Sequence, residues 1–323
     1  MKHFFVSFHL TIILAVLIGA IILWVFGPVL LKNKISLVSP LPDFLTITKN
    51  NQVSTLNLFL PQINFSQNSS TQKPEILAKS VFVYDLTSQK TLYEKNAKER
   101  LPIASLTKVM TSIISLENPK KDDRYLVLKR DLVGEDSMGL TEGEIISLEE
   151  LLYGLILSSG NDAAEVLADN FSGGRQDFIN AMNKKAKSLG LKDTHFTNPS
   201  GLQGDGNQYS TAYDLFIITN YALNNFPLFN KVAATFQQEI LSTSGHKYFF
   251  LENETNLISS YPGVKGVKTG YTPEAELCLI TYLDYQGHKI IGVILGSNNR
   301  RTEMKELLDY SLRIQGITPP PHL

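Results

Sequence analysis

The 323-residue chain contains a long uncharged run close to its N-terminus. The run extends from Leu10 to Leu31, and its 22 residues exceed the about 20 that an apolar helix needs to cross a bilayer. A cleaved signal peptide would have an apolar stretch of about 7 to 15 residues followed by a small-x-small site. This run ends instead in Leu-Leu before Lys32. The sequence therefore predicts a short flank at residues 1–9 and an uncleaved transmembrane anchor at residues 10–31.

The two ends of the chain differ in composition from the part between them. After the uncharged run, a Ser-Pro-Leu-Pro stretch at residues 39–42 and an Asn/Gln/Ser/Thr-rich tract are typical of a linker, which we place at residues 32–75. A Thr-Pro-Pro-Pro sequence near the C-terminus stops any helix, so residues 315–323 are interpreted as a tail. The globular domain is therefore predicted to span residues 76–314.

Charge and residue usage exclude several classes of function. The chain has 30 Lys+Arg and 31 Asp+Glu without a strongly basic cluster, so nucleic acid is not expected as a partner. A single cysteine cannot form an intrachain disulfide or a Cys-rich zinc site, and no metal or phosphate motif occurs, so no metal or cofactor is expected. His195, His246 and His288 lie in the domain, but without a Gly-x-Ser-x-Gly elbow a Ser-His-Asp hydrolase is improbable.

Hydrophobic patterns predict strands at both ends of the domain and helices in its middle. Two strand-like runs joined by a polar turn over residues 80–94 predict a hairpin, and strands return between residues 248 and 295 before a last helix at 302–312. Helical periodicity dominates between these regions, with a capping box that begins at Ser147. This order predicts an α+β domain in which strands from both chain ends form one antiparallel sheet packed with a central helical block.

Serine-lysine pairs are the first candidates for chemistry. A lysine one helical turn after a serine lies on the same face and, if neutral, can take the hydroxyl proton. The Ser-x-x-Lys pairs are Ser70/Lys73, Ser105/Lys108 and Ser244/Lys247. The first lies in the polar linker and the third is interrupted by Gly245, so only Ser105/Lys108 is predicted to be helical. In the first turn of a helix, the Ser105 N–H lacks an intrahelical partner and is suited to an oxyanion hole.

Two further triplets follow this pair along the chain. Ser159-Gly160-Asn161 is predicted at a break between helices, and Lys268-Thr269-Gly270 is predicted at the end of a strand. The order Ser-x-x-Lys, Ser-Gly-Asn, Lys-Thr-Gly is the signature of the penicillin-binding, active-site-serine superfamily. Longer segments resemble the D-alanyl-D-alanine carboxypeptidases, the low-molecular-mass penicillin-binding proteins, over about residues 76–314. These segments are Pro102–Thr111, Ser158–Ala164, Phe196–Leu202, Ser210–Leu215 and Gly266–Thr272.

The resemblance implies the β-lactamase/DD-peptidase fold and a serine mechanism. Ser105 would attack the terminal D-Ala-D-Ala bond, form an acyl-enzyme and release D-alanine, with Lys108 as the general base. A lysine pKa near 10.4 must be lowered for this role by burial or by a neighbouring cation, which Lys268 would supply. Ser159 would relay a proton to the leaving amine, and Asn161 would hold Lys108 or the substrate amide.

The resemblance also implies a set of substrate-binding residues. Thr269, within Lys268-Thr269-Gly270, would bind the free carboxylate of the substrate. The N–H groups of Ser105 and Tyr271 would form the oxyanion hole. An arginine after the last strand helps to hold the carboxylate in this family. Arg300 and Arg301 are the candidates here, and Arg300 is preferred.

Some features depart from the family pattern. Glu276 stands where the family often has a small residue, which predicts an altered strand edge and leaves substrate preference open. The second β-domain and C-terminal anchor of many members are not expected here, so the N-terminal helix would take over attachment. The Glu-x-x-Leu-Asn motif of class A β-lactamases is not found between the second and third triplets. Lasting acylation by penicillin is therefore expected rather than rapid hydrolysis.

The resulting hypothesis is a bacterial D-Ala-D-Ala carboxypeptidase that trims peptidoglycan stem pentapeptides. Its expected partners are the stem peptide, β-lactams as covalent inhibitors and the lipid bilayer, with the catalytic domain on the cell-wall side of the membrane. A DD-endopeptidase that cuts cross-links would use the same residues and stays open. A non-catalytic wall-binding protein that retains the fold also stays open, although all expected reactive side chains are present.

Overall fold

The computed structural model describes residues 72–202 and 207–322. The predicted flank, the predicted anchor and all but the last residues of the predicted linker lie outside this part. The described residues fall within one compact unit, Phe65–Leu323. Within them, no helix combines the length and apolar character needed to cross a membrane.

The described chain begins and ends in elements of one sheet, with most helices in between. The strands are β1 (Ser80–Asp85), β2 (Lys90–Lys95), β3 (Tyr125–Leu126), β4 (Ile145–Ile146), β5 (Gln237–Ile240), β6 (Phe249–Glu252), β7 (Val264–Thr272), β8 (Glu276–Tyr285) and β9 (His288–Ser297). The α-helices are α1 (Lys108–Glu117), α2 (Leu148–Ile156), α3 (Asn161–Asp169), α4 (Gly174–Ser188), α5 (Ala212–Asn225), α6 (Pro227–Ala233), α7 (Leu257–Ser260) and α8 (Arg300–Arg313). Two 3-10 segments lie at Ala104–Thr107 and Lys129–Asp131.

The main sheet joins the two ends of the domain, as the sequence predicts. In the described part of the chain it has five strands in the order β2-β1-β9-β8-β7, with all neighbours antiparallel. The N-terminal hairpin therefore lies beside the C-terminal strand β9, and β7 forms the opposite edge. The predicted α+β architecture with an antiparallel sheet is confirmed.

Each face of the sheet is covered by a different layer. Because successive side chains of a strand point to opposite faces, β1 directs Phe82 into one core and Val81 and Val83 into another. The Phe82 core contains the central helices, whereas the second core contains residues of α8. The helical block, the sheet and α8 thus form successive layers, and β7 lies at the sheet edge that carries the Lys-Thr-Gly triplet.

Local sequence signals at helix ends are largely confirmed. Ser147 caps α2 by accepting a hydrogen bond from the Glu150 N–H, and Glu150 returns a contact to the Ser147 N–H. Ser244/Lys247 lies in the non-helical connection between β5 and β6, as expected, whereas Ser70 lies outside the described residues. The short elements β3, β4, β5, α6 and α7 were not predicted, because two to seven residues carry too little periodicity.

Two predicted placements were wrong in detail. Ser105 does not lie in the first turn of an α-helix but in the 3-10 segment before α1, where Ala104 has a positive φ of 46° that is incompatible with a regular helix. Lys268-Thr269-Gly270 does not end its strand. Pairing with β8 continues as far as Thr272 opposite Glu276, so the triplet lies within β7.

Candidate active site

The nucleophile candidate Ser105 is held between two glycines. A Cβ on Gly201, whose φ is +87°, would lie 2.0 Å from the carbonyl oxygen of Ala104. A Cβ on Gly270 would lie 3.1 Å from the backbone nitrogen of Ser105. Only glycine allows both backbones to come this close without displacement. The segment that carries Ser105 is therefore wedged between the Phe196–Leu202 region and β7, and Ser105 itself is only 8% exposed.

Lys108 contacts the serine hydroxyl directly. Its Nζ lies 2.8 Å from Ser105 Oγ, 2.7 Å from Asn161 Oδ1 and 2.7 Å from the backbone oxygen of Ser200. The orientation of the Asn161 amide is fixed because its Nδ2 donates to the Glu135 carbonyl at 3.2 Å. Asn161 Oδ1 and the Ser200 carbonyl can only accept hydrogen bonds, whereas the Ser105 hydroxyl can also donate. A neutral Lys108 thus uses its two N–H bonds on the acceptors and directs its lone pair at the serine proton.

The environment of Lys108 favours this neutral form. Burial lowers the pKa of Lys108 well below its usual range, because the amine is completely enclosed and its charged form loses hydration. The positive charge of Lys268 lowers this pKa further, against the opposing charges of Asp136, Glu254 and Asp162. The contacts of Lys108 and the direction of its pKa shift both suit a general base for Ser105.

The second triplet lies at the junction of α2 and α3. Ser159 is buried and has φ +56°, and Gly160 precedes α3, so Asn161 is the first residue of that helix. The Asn161 N–H donates to the Asp136 carbonyl at 2.7 Å. Asp162 accepts hydrogen bonds from the backbone of the preceding loop, including the Met138 N–H at 3.0 Å. These contacts fix the direction in which Asn161 reaches Lys108.

The third triplet brings a second buried lysine to the site. Lys268 is only 1% exposed, and no hydrogen-bond partner of its Nζ is found in the described part of the protein. The pKa of Lys268 is lowered to about 8, chiefly by burial and also by Arg300, while Glu254 opposes this shift. A buried cation without a partner costs stability unless it serves another purpose, which makes Lys268 a candidate for binding an anion.

The arginine and tyrosine candidates for substrate binding differ in their exposure to solvent. Arg300 is partly buried, and its guanidinium donates to the Gly270 carbonyl at 2.7 Å and to the Cys278 carbonyl at 3.3 Å. Arg301 is exposed, so of the two arginines it is Arg300 that contacts the triplet strand. Tyr271 follows the triplet and is 61% exposed.

Glu276 is the first residue of β8, beside the turn that joins β7 to β8. It pairs with Thr272 and makes an ion pair of 2.9 Å with Lys79, with both side chains well exposed. Glu276 has a positive φ of 54°.

Sequence reasoning missed three parts of the site. The Ser200 carbonyl accepts from Lys108, and Asn198 Oδ1 positions this turn by accepting from the Gly201 N–H at 2.7 Å. The Phe196–Leu202 segment was recognised as similar to the family, which is a signal that could have found both. Glu254 accepts from the Thr269 hydroxyl at 3.0 Å, and no sequence signal pointed to it.

Two of the histidines considered in the sequence analysis contact acidic residues. His288 contacts Asp85 at 2.6 Å and His246 contacts Glu150 at 3.3 Å. Among residues 72–202 and 207–322, no group of three or more His, Cys, Asp or Glu residues is arranged to hold a metal ion. A cavity of about 740 Å³ lies between the β1–β2 hairpin and α5, and it includes none of the predicted site residues.

The arrangement suits acyl transfer to and from a serine. A serine hydroxyl faces a buried amine that can take its proton, and the Ser105 N–H belongs to the segment pressed against β7. The adjacent strand side supplies positive charge from Lys268 and Arg300 and a hydrogen-bond donor from the Thr269 hydroxyl. Such a site fits a substrate that presents an electrophilic carbonyl close to an anionic end.

Comparison with known proteins places the chain among similar sequences and folds. A family model described as D-alanyl-D-alanine carboxypeptidase matches residues 67–299. A D-alanyl-D-alanine carboxypeptidase of Bacillus subtilis is 37% identical over 243 residues, which cover 72% of this chain but only 62% of the Bacillus protein. One from a Streptomyces species is 33% identical over 265 residues, covering 76% of this chain and 91% of the relative. The crystal structure of a Streptomyces DD-transpeptidase matches with a TM-score of 0.70 and 32% identity, over 74% of this chain and 98% of that one.

Proposed function

The chain belongs to the D-alanyl-D-alanine carboxypeptidase family of serine peptidases, and from this premise we propose that it removes the terminal D-alanine from peptidoglycan stem pentapeptides. The single observation that carries the proposal is the contact of 2.8 Å between Lys108 Nζ and Ser105 Oγ, with the other two partners of Nζ restricted to accepting. This contact supplies an activated nucleophile without histidine or metal.

Acylation begins with proton transfer from Ser105 to Lys108. Ser105 Oγ attacks the carbonyl carbon of the penultimate D-alanine, and the negative oxygen that develops is stabilised by the N–H groups of Ser105 and Tyr271. The C–N bond to the terminal D-alanine then breaks, and a proton returns to its amine from Lys108 through Ser159. Water releases the remaining peptide by the reverse sequence, with Lys108 again accepting a proton.

The strand side of the site binds the end of the substrate. The terminal carboxylate accepts from the Thr269 hydroxyl and is attracted by Lys268 and Arg300. Gly270 lets the strand lie close to Ser105, so the bound carboxylate and the scissile carbonyl are held at a fixed distance from each other.

Covalent labelling tests the nucleophile. Full-length protein is incubated with a fluorescent penicillin, and mass spectrometry locates the adduct. We expect a stable adduct on Ser105 that is lost in Ser105→Ala. Ser244→Ala is the matched control, because it alters an exposed serine that also precedes a lysine by three residues and should label like the wild type. A folded wild-type protein that takes up no penicillin would contradict the acyl-enzyme mechanism and favour the non-catalytic wall-binding alternative.

Product analysis distinguishes carboxypeptidase, endopeptidase and transpeptidase activity. A carboxypeptidase releases D-alanine from a monomeric pentapeptide, whereas an endopeptidase cuts a cross-linked dimer. The Streptomyces structural relative is called a transpeptidase, and a transpeptidase would transfer the acyl group to an added amine. We expect D-alanine from the monomer as the main product.

The uncharged run at residues 10–31 supports a membrane location. We propose that it anchors the protein as a single span, with the catalytic domain on the cell-wall side, because peptidoglycan lies there. Protease treatment of intact cells without their wall should digest the catalytic domain and leave a membrane-bound fragment. Release of the whole protein from washed membranes by high salt would contradict an integral anchor.

A further inference from the structure

The Thr269 hydroxyl, which the proposed substrate needs as a hydrogen-bond donor, already donates to an acidic side chain. Glu254 Oε2 accepts from the Thr269 hydroxyl at 3.0 Å. Thr269 is buried, whereas Glu254 is exposed, so the carboxylate reaches inward from solvent. The negative charge of Glu254 also raises the pKa of Lys268 and of Lys108, which shows that it acts on both lysines of the site.

The backbone around Glu254 is firmly held. Its buried neighbour Asn253 donates from its N–H to the Phe236 carbonyl at 2.8 Å and from its side chain to the Thr235 carbonyl at 2.9 Å. The Glu254 N–H donates to the Leu157 carbonyl at 3.2 Å. The fold therefore fixes where the Glu254 side chain starts, while its exposure leaves the side chain free to rotate away from Thr269.

The substrate brings a second carboxylate to the same place. In the proposed function, the C-terminal carboxylate of the peptide accepts from Thr269 and lies near Lys268 and Arg300. Two carboxylates cannot both use one hydroxyl proton, and two negative charges at this distance repel each other. Glu254 must leave Thr269 before the peptide can bind there.

We propose that Glu254 is a specificity-determining residue that occupies the carboxylate-binding hydroxyl of the resting enzyme and weakens the binding of peptides with a free C-terminus. The inference rests on the proposed function, because it assumes that the substrate carboxylate binds at Thr269. Glu254 makes no contact with Ser105 in the described structure, so it should affect binding more than the chemical step.

Steady-state kinetics on full-length Glu254→Gln and Glu254→Ala test the proposal. The probe is an N-acylated peptide that ends in D-alanyl-D-alanine, and the matched control variant is Glu252→Gln, an exposed glutamate two residues away on β6. Both Glu254 variants should lower KM about threefold or more with kcat changed less than about twofold, because a like charge is removed from the binding site. Glu252→Gln should leave both constants unchanged.

A second substrate separates this effect from a general change of the site. The same peptide with a C-terminal amide has no negative charge, so its KM should not fall in the Glu254 variants. An active wild-type enzyme whose variants show an unchanged or raised KM for the free peptide would overturn the inference and leave the proposed function intact. An equal fall for the amide peptide would also overturn it. A folded wild-type protein that neither releases D-alanine nor binds penicillin would remove the basis of both.

Discussion

The helical side and the strand side of the site each contribute one buried lysine, and these two lysines differ in their hydrogen-bond partners. Lys108 on α1 is 0% exposed, and its Nζ contacts a hydroxyl, an amide oxygen and a carbonyl. Lys268 on β7 is 1% exposed, and its Nζ has no hydrogen-bond partner among the described residues. Burial is therefore equal and does not decide the role. Two acceptors take the N–H bonds of a neutral Lys108 and leave its lone pair for the Ser105 hydroxyl, as the proposed base requires, whereas the unpartnered amine of Lys268 is available to attract an anion.

Replacing Lys108 should have the largest effect. Lys108→Ala removes the amine that contacts the Ser105 hydroxyl, so we expect the rate of acylation by penicillin to fall by about 10³ or more. Stopped-flow or gel-based labelling measures this rate. Lys265→Ala, which removes an exposed lysine of β7, is the control and should acylate normally. A Lys108 variant that acylates within about tenfold of the wild type would show that another group is the base.

Replacing Lys268 should affect binding first. Lys268→Gln removes a positive charge from the strand side but leaves the Ser105–Lys108 contact in place. We expect kcat/KM for a D-alanyl-D-alanine peptide to fall by about 10², mainly through KM. A loss mainly in kcat would mean that the two lysines share the chemical step, and the contrast drawn above would fail.

Stability should respond differently to replacement of the two buried lysines. The folded-state pKa of Lys268, about 8, lies below the value of about 10.4 for an exposed lysine. Its contribution to stability is thus present above about pH 10 and lost as the pH falls through about 8. Lys268→Met should therefore raise the free energy of unfolding at pH 7 by about 2 kcal/mol. Lys108→Met should stabilise less than Lys268→Met, although burial also lowers the pKa of Lys108, since Asn161 and Ser200 would lose their donor. Urea denaturation measures both, and a destabilised Lys268→Met would contradict this account.

The pH profile should show the smallest but most specific effect. Lys108 must be neutral to act, and the positive charge of Lys268 lowers its pKa. Removing that charge in Lys268→Gln raises the pKa of Lys108, so the acid limb of kcat/KM should move to higher pH. The wild type should also lose activity above about pH 8 as Lys268 deprotonates, and the variant should not. An acid limb at the same pH in both proteins would mean that burial alone sets the pKa of Lys108.

Sequence patterns predicted most of the architecture because those patterns are local. Two strand-forming runs and a polar turn located the hairpin of β1 and β2, and a four-residue capping box located the start of α2. The exceptions have identifiable causes. Ser105 was assigned to an α-helix, since nothing in the local pattern shows that Ala104 has a positive φ. Gly201, about 100 residues away in the chain, lies against the Ala104 carbonyl, a contact that local pattern likewise does not show.

By itself, the sequence determined the fold class, the order of the three triplets and the choice of candidate site residues. The tertiary structure decided how they act: Asn161 reaches Lys108 from 53 residues away, the Ser200 carbonyl from 92, and Glu254 reaches Thr269 from 15. The protonation of Lys108 and Lys268 likewise follows from burial and from charges on other elements. Periodicity and spacing report what lies on one face of one helix or strand, whereas pKa values and hydrogen-bond partners depend on which elements meet.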